Sequence, residues 1–185
     1  VLNRAATKRK ITHGITLLKK AGIMIQVDHM LGIPGDTIRN QEEAILYYNQ
    51  NRPDLISVFW LTYYPGAAII KTALQKGVIS KEDIKRIEKG IRPAGRSVHD
   101  GGSLKNPEPF YSLQFLMNYL PFLPKNLVNF LITKRRYRIL SIRNYFFSTA
   151  LPRVFLSIFD KRYFIGRTYL LLTFRFLLGK QNITK

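Results

Sequence analysis

Two short turns carry the residue types that suit a ligand. The first is Gly32-Ile33-Pro34-Gly35, entered from Val27-Asp28-His29-Met30-Leu31 and left through Asp36-Thr37. The second is Tyr63-Tyr64-Pro65-Gly66, entered from the apolar run Leu55 to Thr62. Glycine tolerates positive φ and lets a backbone approach a ligand closely, although a plain strand-to-helix turn needs the same freedom. Asp28 is a carboxylate inside an apolar run and requires a bonding partner, either a ligand or a structural arginine. Met30 is either a contact surface or core filler. His13, His29 and His99 have no metal-ligand spacing. The absence of cysteine excludes disulfides and thiolate-held iron–sulfur centres within these 185 residues.

The elements that must position these turns follow from periodicity. Ile11, Ile15 and Leu18, widened by Leu17, predict a helix over 7–21 that Gly22 closes. Ile23 to Leu31 reads as a strand buried on both faces near its middle. Thr37 or Asp36 caps a helix over 38–50, with Ile38, Ala44 or Ile45, and Tyr48 inward and Glu42 and Glu43 near its positive end. Arg52-Pro53-Asp54 stops that helix, and Leu55 to Thr62 is a second strand. A helix over 67–76 closes on Gly77, and Ser80 with Asp83 has capping-box spacing before a short helix to Lys89. The order strand–turn–helix–strand–turn is that of a βαβ unit, in which ligands sit past the carboxyl ends of the strands.

Gly90, Pro93, Gly95, Gly101-Gly102, Pro107 and Pro109 mark residues 90–109 as a linker or long loop. Helical blocks follow at about 110–120, 125–133, 136–148, 152–164 and 167–178. Charge divides at the same place. Residues 1–100 carry sixteen Lys and Arg against nine Asp and Glu, and residues 101–185 carry fourteen against two. The expected organisation is an α/β portion over 1–89, a loop over 90–109 and a basic, aromatic helical region over 110–185. Val1-Leu2-Asn3-Arg4 begins without an apolar leader and reads as a start in mid-domain.

Asn3-Arg4 before a helix, Val27-Asp28 leading into Leu31-Gly32-Ile33-Pro34-Gly35-Asp36-Thr37, and Ser57-Val58-Phe59-Trp60-Leu61-Thr62-Tyr63-Tyr64-Pro65-Gly66 together resemble the C-terminal half of a radical S-adenosylmethionine enzyme core. The likeness is nearest to members with a cobalamin-binding domain ahead of the barrel. It covers roughly residues 1–80.

The fold it implies is the C-terminal fragment of a partial (β/α)6 TIM-like barrel, two parallel strands with helices, followed by an all-α region. The cofactors it implies are S-adenosylmethionine, a [4Fe–4S] cluster held by a CxxxCxxC loop, and cobalamin. That loop is not in this sequence, so the resemblance implies that this chain alone does not catalyse the radical reaction and contributes no catalytic or metal-binding side chain. Residue by residue, it carries S-adenosylmethionine contacts onto Arg4, Asp28, Met30, Gly32, Ile33, Pro34, Gly35 and Thr62. Tyr63 and Tyr64 are at the expected substrate mouth.

The basic second part has its own reading. Lys134-Arg135-Arg136 and Lys161-Arg162, with Leu170, Leu171, Phe174, Leu177 and Leu178 at helical spacing, suit a helix lying on anionic lipid. Equally, a helical subdomain that packs on the barrel leaves its basic residues in water. The expected partners are therefore a small-molecule or lipidic substrate and, peripherally, an anionic membrane at the inner face of a cytoplasmic location. The alternative function is a non-catalytic basic module on such a membrane. No nucleic-acid motif is present.

Overall fold

The computed structural model describes residues 7–91 and 101–160. Helix α1 (Lys8–Lys20) leads to strand β1 (Gln26–Leu31), helix α2 (Ile38–Asn51) and strand β2 (Leu55–Trp60). Helices α3 (Ile69–Gln75) and α4 (Lys81–Glu88) follow, then α5 (Glu108–Tyr119), α6 (Lys125–Thr133) and α7 (Leu151–Phe159). The fold is α/β. Its sheet has two parallel strands among the described residues, with Gln26 opposite Leu55 through to Leu31 opposite Trp60.

The caps behave as the sequence requires. Thr7 accepts from Lys10 N–H (3.3 Å), Thr37 from Asn40 N–H (3.1 Å), and Ser80 and Asp83 form a reciprocal capping box. Thr37, not Asp36, caps α2. Glu42 and Glu43 lie beyond the first turn of α2, where Glu42 accepts from the Tyr137 hydroxyl (2.6 Å) and Glu43 pairs with Arg39 (3.3 Å).

Three sequence expectations are corrected. β1 starts at Gln26 rather than Ile23, because Ile23 N–H still returns to the Leu18 carbonyl (3.0 Å) and closes α1 behind Gly22 at φ +70°. β1 is not buried on both faces. Val27, His29 and Leu31 turn towards α2, whereas Gln26, Asp28 and Met30 are exposed. The helix expected over 136–148 is a 3₁₀ turn at Arg136–Ile139, irregular chain, then a π turn at Phe146–Ala150. Arg135 at φ +51° ends α6, and the Asn144 side chain accepts from Phe146 and Phe147 N–H (3.0 and 3.3 Å), which restarts helical structure there. The block expected over 167–178 and the Lys161-Arg162 cluster lie outside the described residues.

The main core forms between the inner face of the sheet and the helices of the second half. Leu31, Ile45, Ile56, Val58 and Trp60 pack with Tyr111, Leu113, Leu116, Val128 and Tyr137. The indole N–H of Trp60 donates to Gln114 Oε1 (3.0 Å), satisfying a polar group that burial would otherwise strand. The basic helical region therefore shares one core with the α/β portion. On the other face of β2, α7 sets Leu156 against Leu55 and donates from Arg153 to the Ser57 hydroxyl (3.2 Å).

Arg52 joins the halves. It sits at φ +49°, a left-handed conformation that costs a non-glycine residue about 1–2 kcal/mol. Its guanidinium donates to the Leu120 carbonyl (2.7 Å), the Leu123 carbonyl and Asn49 Oδ1 (3.1 Å). Hydrogen bonds to charged groups contribute about 1.5–3 kcal/mol each, so the clasp outweighs the backbone strain. Arg52→Ala is expected to lower unfolding stability by about 2 kcal/mol, the worth of one such bond net of solvation. The measurement is urea denaturation followed through Trp60, the single tryptophan, which is buried. An unchanged midpoint would make the clasp decorative.

Candidate functional site

Parallel pairing brings both turns to one end of the sheet. Leu61 N–H continues the ladder to the Leu31 carbonyl (2.9 Å), so Gly32 and Thr62 leave the sheet side by side. Gly32 and Gly35 take φ +79° and +89°, which only glycine adopts without strain.

The turn is held from within. Asp36 accepts from Gly32 N–H (3.1 Å) and, through both carboxylate oxygens, from the Gln41 amide nitrogen (2.7 and 2.8 Å). That fixes the rest of a donor chain by elimination. The Gln41 amide oxygen must face His29 Nε2 (2.6 Å), so Nε2 carries the proton and Nδ1 accepts from the Tyr48 hydroxyl (2.8 Å). Burial pushes the Tyr48 hydroxyl up to about 12, reinforced by Tyr47, so it remains a donor. Burial also lowers His29 from the ordinary imidazole value, against the raising effects of the Gln41 bond and the Asp36 charge. His29 is thus a neutral strut under the turn, on the opposite face of β1 from Asp28.

The predicted contact residues are placed as follows. Asp28 is exposed on the open face of β1 and accepts from Gln26 Nε2 (2.9 Å); it is not deeply buried, and among the described residues no arginine pairs with it. Met30 lies two residues along the same face and is 40% exposed. Gly32 and Pro34 are buried, Ile33 is half-buried and Gly35 is exposed. Thr62 is buried beside the turn, and its hydroxyl has no hydrogen-bond partner; the same holds for the buried Tyr63 hydroxyl. Tyr64 is exposed. Arg4 lies outside the described residues. Among the described residues no three His, Asp or Glu side chains group as metal ligands.

No family model, curated protein or solved structure matches the chain. The site is therefore read from its own geometry.

Two neighbours of the turns were not visible in the sequence. The segment Gly101-Gly102-Ser103 folds over the end of β2, where Ser103 N–H donates to the Leu61 carbonyl (2.8 Å) and its hydroxyl accepts from Tyr63 N–H (3.2 Å). Any side chain at Gly102 would run into the Leu61 carbonyl oxygen and Trp60 Cβ, so only glycine fits there. Leu104 then covers Gly32. The second neighbour is Lys76, whose ammonium reaches the space over Gly35 and sets a cation against the first turn. A Gly-Gly pair signals a break in regular structure but not where the chain goes afterwards, and α3 had no visible link to Gly35.

A cavity of about 350 Å³ opens beside the free edge of β1, with Asp28, Ile15, Asn40 and Tyr47 in its lining. It touches one predicted residue, Asp28, and neither turn.

The lowered basicity of His29 has a consequence in solution. An unfolded chain takes up a proton near the ordinary value of 6.5, whereas the folded imidazole resists it. The stabilisation from neutral His29 is complete above pH 6.5 and is lost as pH falls towards and through the lower folded-state value. His29→Gln is expected to flatten stability against pH below 6.5, whatever its effect at neutral pH. The check is a series of denaturation midpoints on both chains; parallel profiles would remove His29 from the pH response.

Proposed function

We propose that this chain supplies one wall of a cleft for S-adenosylmethionine, in the manner of the C-terminal part of a radical S-adenosylmethionine barrel. The observation that carries the reading is the parallel β1–β2 register, which sets the two turns adjacent and leaves Asp28 and Met30 on the uncovered face of β1.

The donors suit an adenosyl group. Asp28 offers a carboxylate to ribose hydroxyls or an amine, and Met30 offers an apolar surface to adenine. Lys76 offers a cation to a carboxylate at the first turn, the chemistry for which the resemblance singles out Arg4 elsewhere in the chain. The Thr62 hydroxyl, buried and unpartnered, incurs a desolvation cost of about 1–3 kcal/mol that a ligand bond would offset. The Gly101–Leu104 segment bounds the cleft above the strand ends.

Further support comes from surfaces that an incomplete sheet leaves uncovered. Among the described residues nothing pairs with the second edge of β1. Along α1, Ile15 is buried, yet Ile11, Leu17 and Leu18 are 45%, 52% and 41% exposed. The cavity between α1, β1 and α2, with Asp28 in its lining, would on this reading be closed by the rest of the barrel. On this reading the chain is the two-strand C-terminal piece of a (β/α)6 barrel.

When bound beside a reduced cluster, S-adenosylmethionine would bring reductive-cleavage chemistry to this cleft. The cluster's thiolate ligands would come from outside these 185 residues, which contain no cysteine. The residues present here would bind and orient the adenosyl moiety and shield it from water.

Saturation-transfer NMR of the chain with S-adenosylmethionine is expected to mark the adenine and ribose protons. Asp28→Asn with Thr62→Val should weaken binding about thirtyfold and all but abolish that transfer, the loss of two polar contacts worth roughly 1 kcal/mol each. No transfer, or equal transfer to the double variant, would overturn the proposal.

A further inference from the structure

The surface of α6 and the turn after it bring together two side-chain classes that a water-facing surface keeps dispersed. Between residues 109 and 159 the sequence has seven Lys and Arg and no Asp or Glu. Within that stretch α6 turns Val128 and Ile132 into the core, while Leu127 and Phe130 face outward, 41% and 52% exposed. Lys134 continues that outward stripe at i+4 from Phe130.

Arg135, in the left-handed conformation, then folds the chain back, so that Arg136 and Ile139 return to the same place. Phe130, Lys134, Arg135, Arg136 and Ile139 line one shallow depression of about 500 Å³. Ile139 is 81% exposed, the most exposed large apolar side chain among the described residues. The nearest carboxylate is Glu42, which is largely buried and shared between Arg135 (3.7 Å) and the Tyr137 hydroxyl. Lys134 and Arg136 remain exposed at the rim.

We infer that this surface docks the chain on an anionic phospholipid bilayer, with Leu127, Phe130 and Ile139 entering the headgroup–acyl boundary and Lys134, Arg135 and Arg136 binding lipid phosphates. Charge complementarity selects the occupant. A cationic rim without acidic residues offers a protein partner no mixed pattern of charge to read, but it matches a uniformly negative plane. Projecting apolar side chains also suit penetration of a fluid interface. Among the described residues no helix is long and apolar enough to cross a membrane. The surface is built from α6 and the 3₁₀ turn, neither of which contributes to the cleft at the strand ends, so this inference goes beyond the adenosyl reading and can fail without it.

The test is co-sedimentation of the full 185-residue chain with phosphatidylcholine vesicles, with and without phosphatidylglycerol. Binding is expected only to the mixed vesicles and should weaken as salt rises. Lys134→Gln with Arg136→Gln should weaken it about thirtyfold, about fivefold per cation, at roughly 1 kcal/mol each. Phe130→Ser with Ile139→Ser should weaken it while leaving the salt dependence in place. All four positions are exposed, so an unchanged Trp60 emission spectrum certifies the fold of each variant. Equal partition onto neutral vesicles, no partition, or full binding by both variants overturns the inference. Phe130-dependent self-association without vesicle binding also overturns it, assigning the surface to a second copy of the chain.

Discussion

The register of β1 on β2 is the constraint from which the arrangement of the site follows. It is pinned at both ends by bonds that cross from one strand to the other. At the entrance Asp54 accepts from Ile25 N–H (2.8 Å) while its own N–H donates to the Ile25 carbonyl (2.9 Å). At the exit Leu61 N–H donates to the Leu31 carbonyl (2.9 Å), while Asp36 holds Gly32 N–H within the turn that follows. A slip of one residue would carry His29 to the open face and Asp28 into the core, because strand side chains alternate. Each misplacement would break a donor chain or bury a carboxylate without a partner. The exposed Asp28 and the buried His29 are two consequences of one pairing.

The inner face of α2 shows how the two halves of the chain become one body. Gln41 and Asn49 occupy core-facing positions beside Ile45, where an amphipathic pattern leads one to expect apolar residues. Each is fully engaged. Gln41 links the turn to His29, and Asn49 donates to the Lys125 carbonyl and Asn129 Oδ1 (2.9 Å each). With Arg52 gripping the chain between α5 and α6, the polar groups of one helix set the orientation of the basic region against the sheet. Apolar packing alone is non-directional. These bonds supply the direction.

What was legible in the sequence was local. Thr7, Thr37 and Ser80 act within three residues of themselves, and Gly22 closes the helix it follows, so short-range chemistry determines them. The parallel order of the strands follows from the helix between them. The exposure of Met30 and of the α1 stripe was not legible, since an apolar residue does not specify what covers it. The irregular stretch after α6 was missed for a different reason. Its apolar spacing suits a helix, but Arg135 adopts a conformation usually left to glycine, and Asn144 offers a side-chain acceptor that starts a new turn. At the site, Asp28 and the glycines were visible as types, whereas Lys76 and Ser103 reach the turns only through tertiary folding.

Among the described residues two uncovered apolar surfaces bear on the site and on docking, and their surroundings separate them. The α1 stripe borders a strand edge whose backbone donors and acceptors call for another strand, and it adjoins a cavity lined by both charge signs, with Lys8, Asp28 and Glu43. Such a surface is satisfied by polypeptide, which can bring a ladder and mixed charge together. The α6 surface has no backbone edge to pair, since its amides are engaged in helix and turn, and its rim is cationic. On the inference drawn above it would be satisfied by something planar, negative and fluid. Buried Val128 and Ile132 tie α6 to the core around Trp60, whose strand ends at the Gly101–Leu104 segment above the cleft. If both proposals hold, a bilayer beneath α6 and an adenosyl group at the strand ends would be joined through this one core, an arrangement suited to a substrate drawn from lipid.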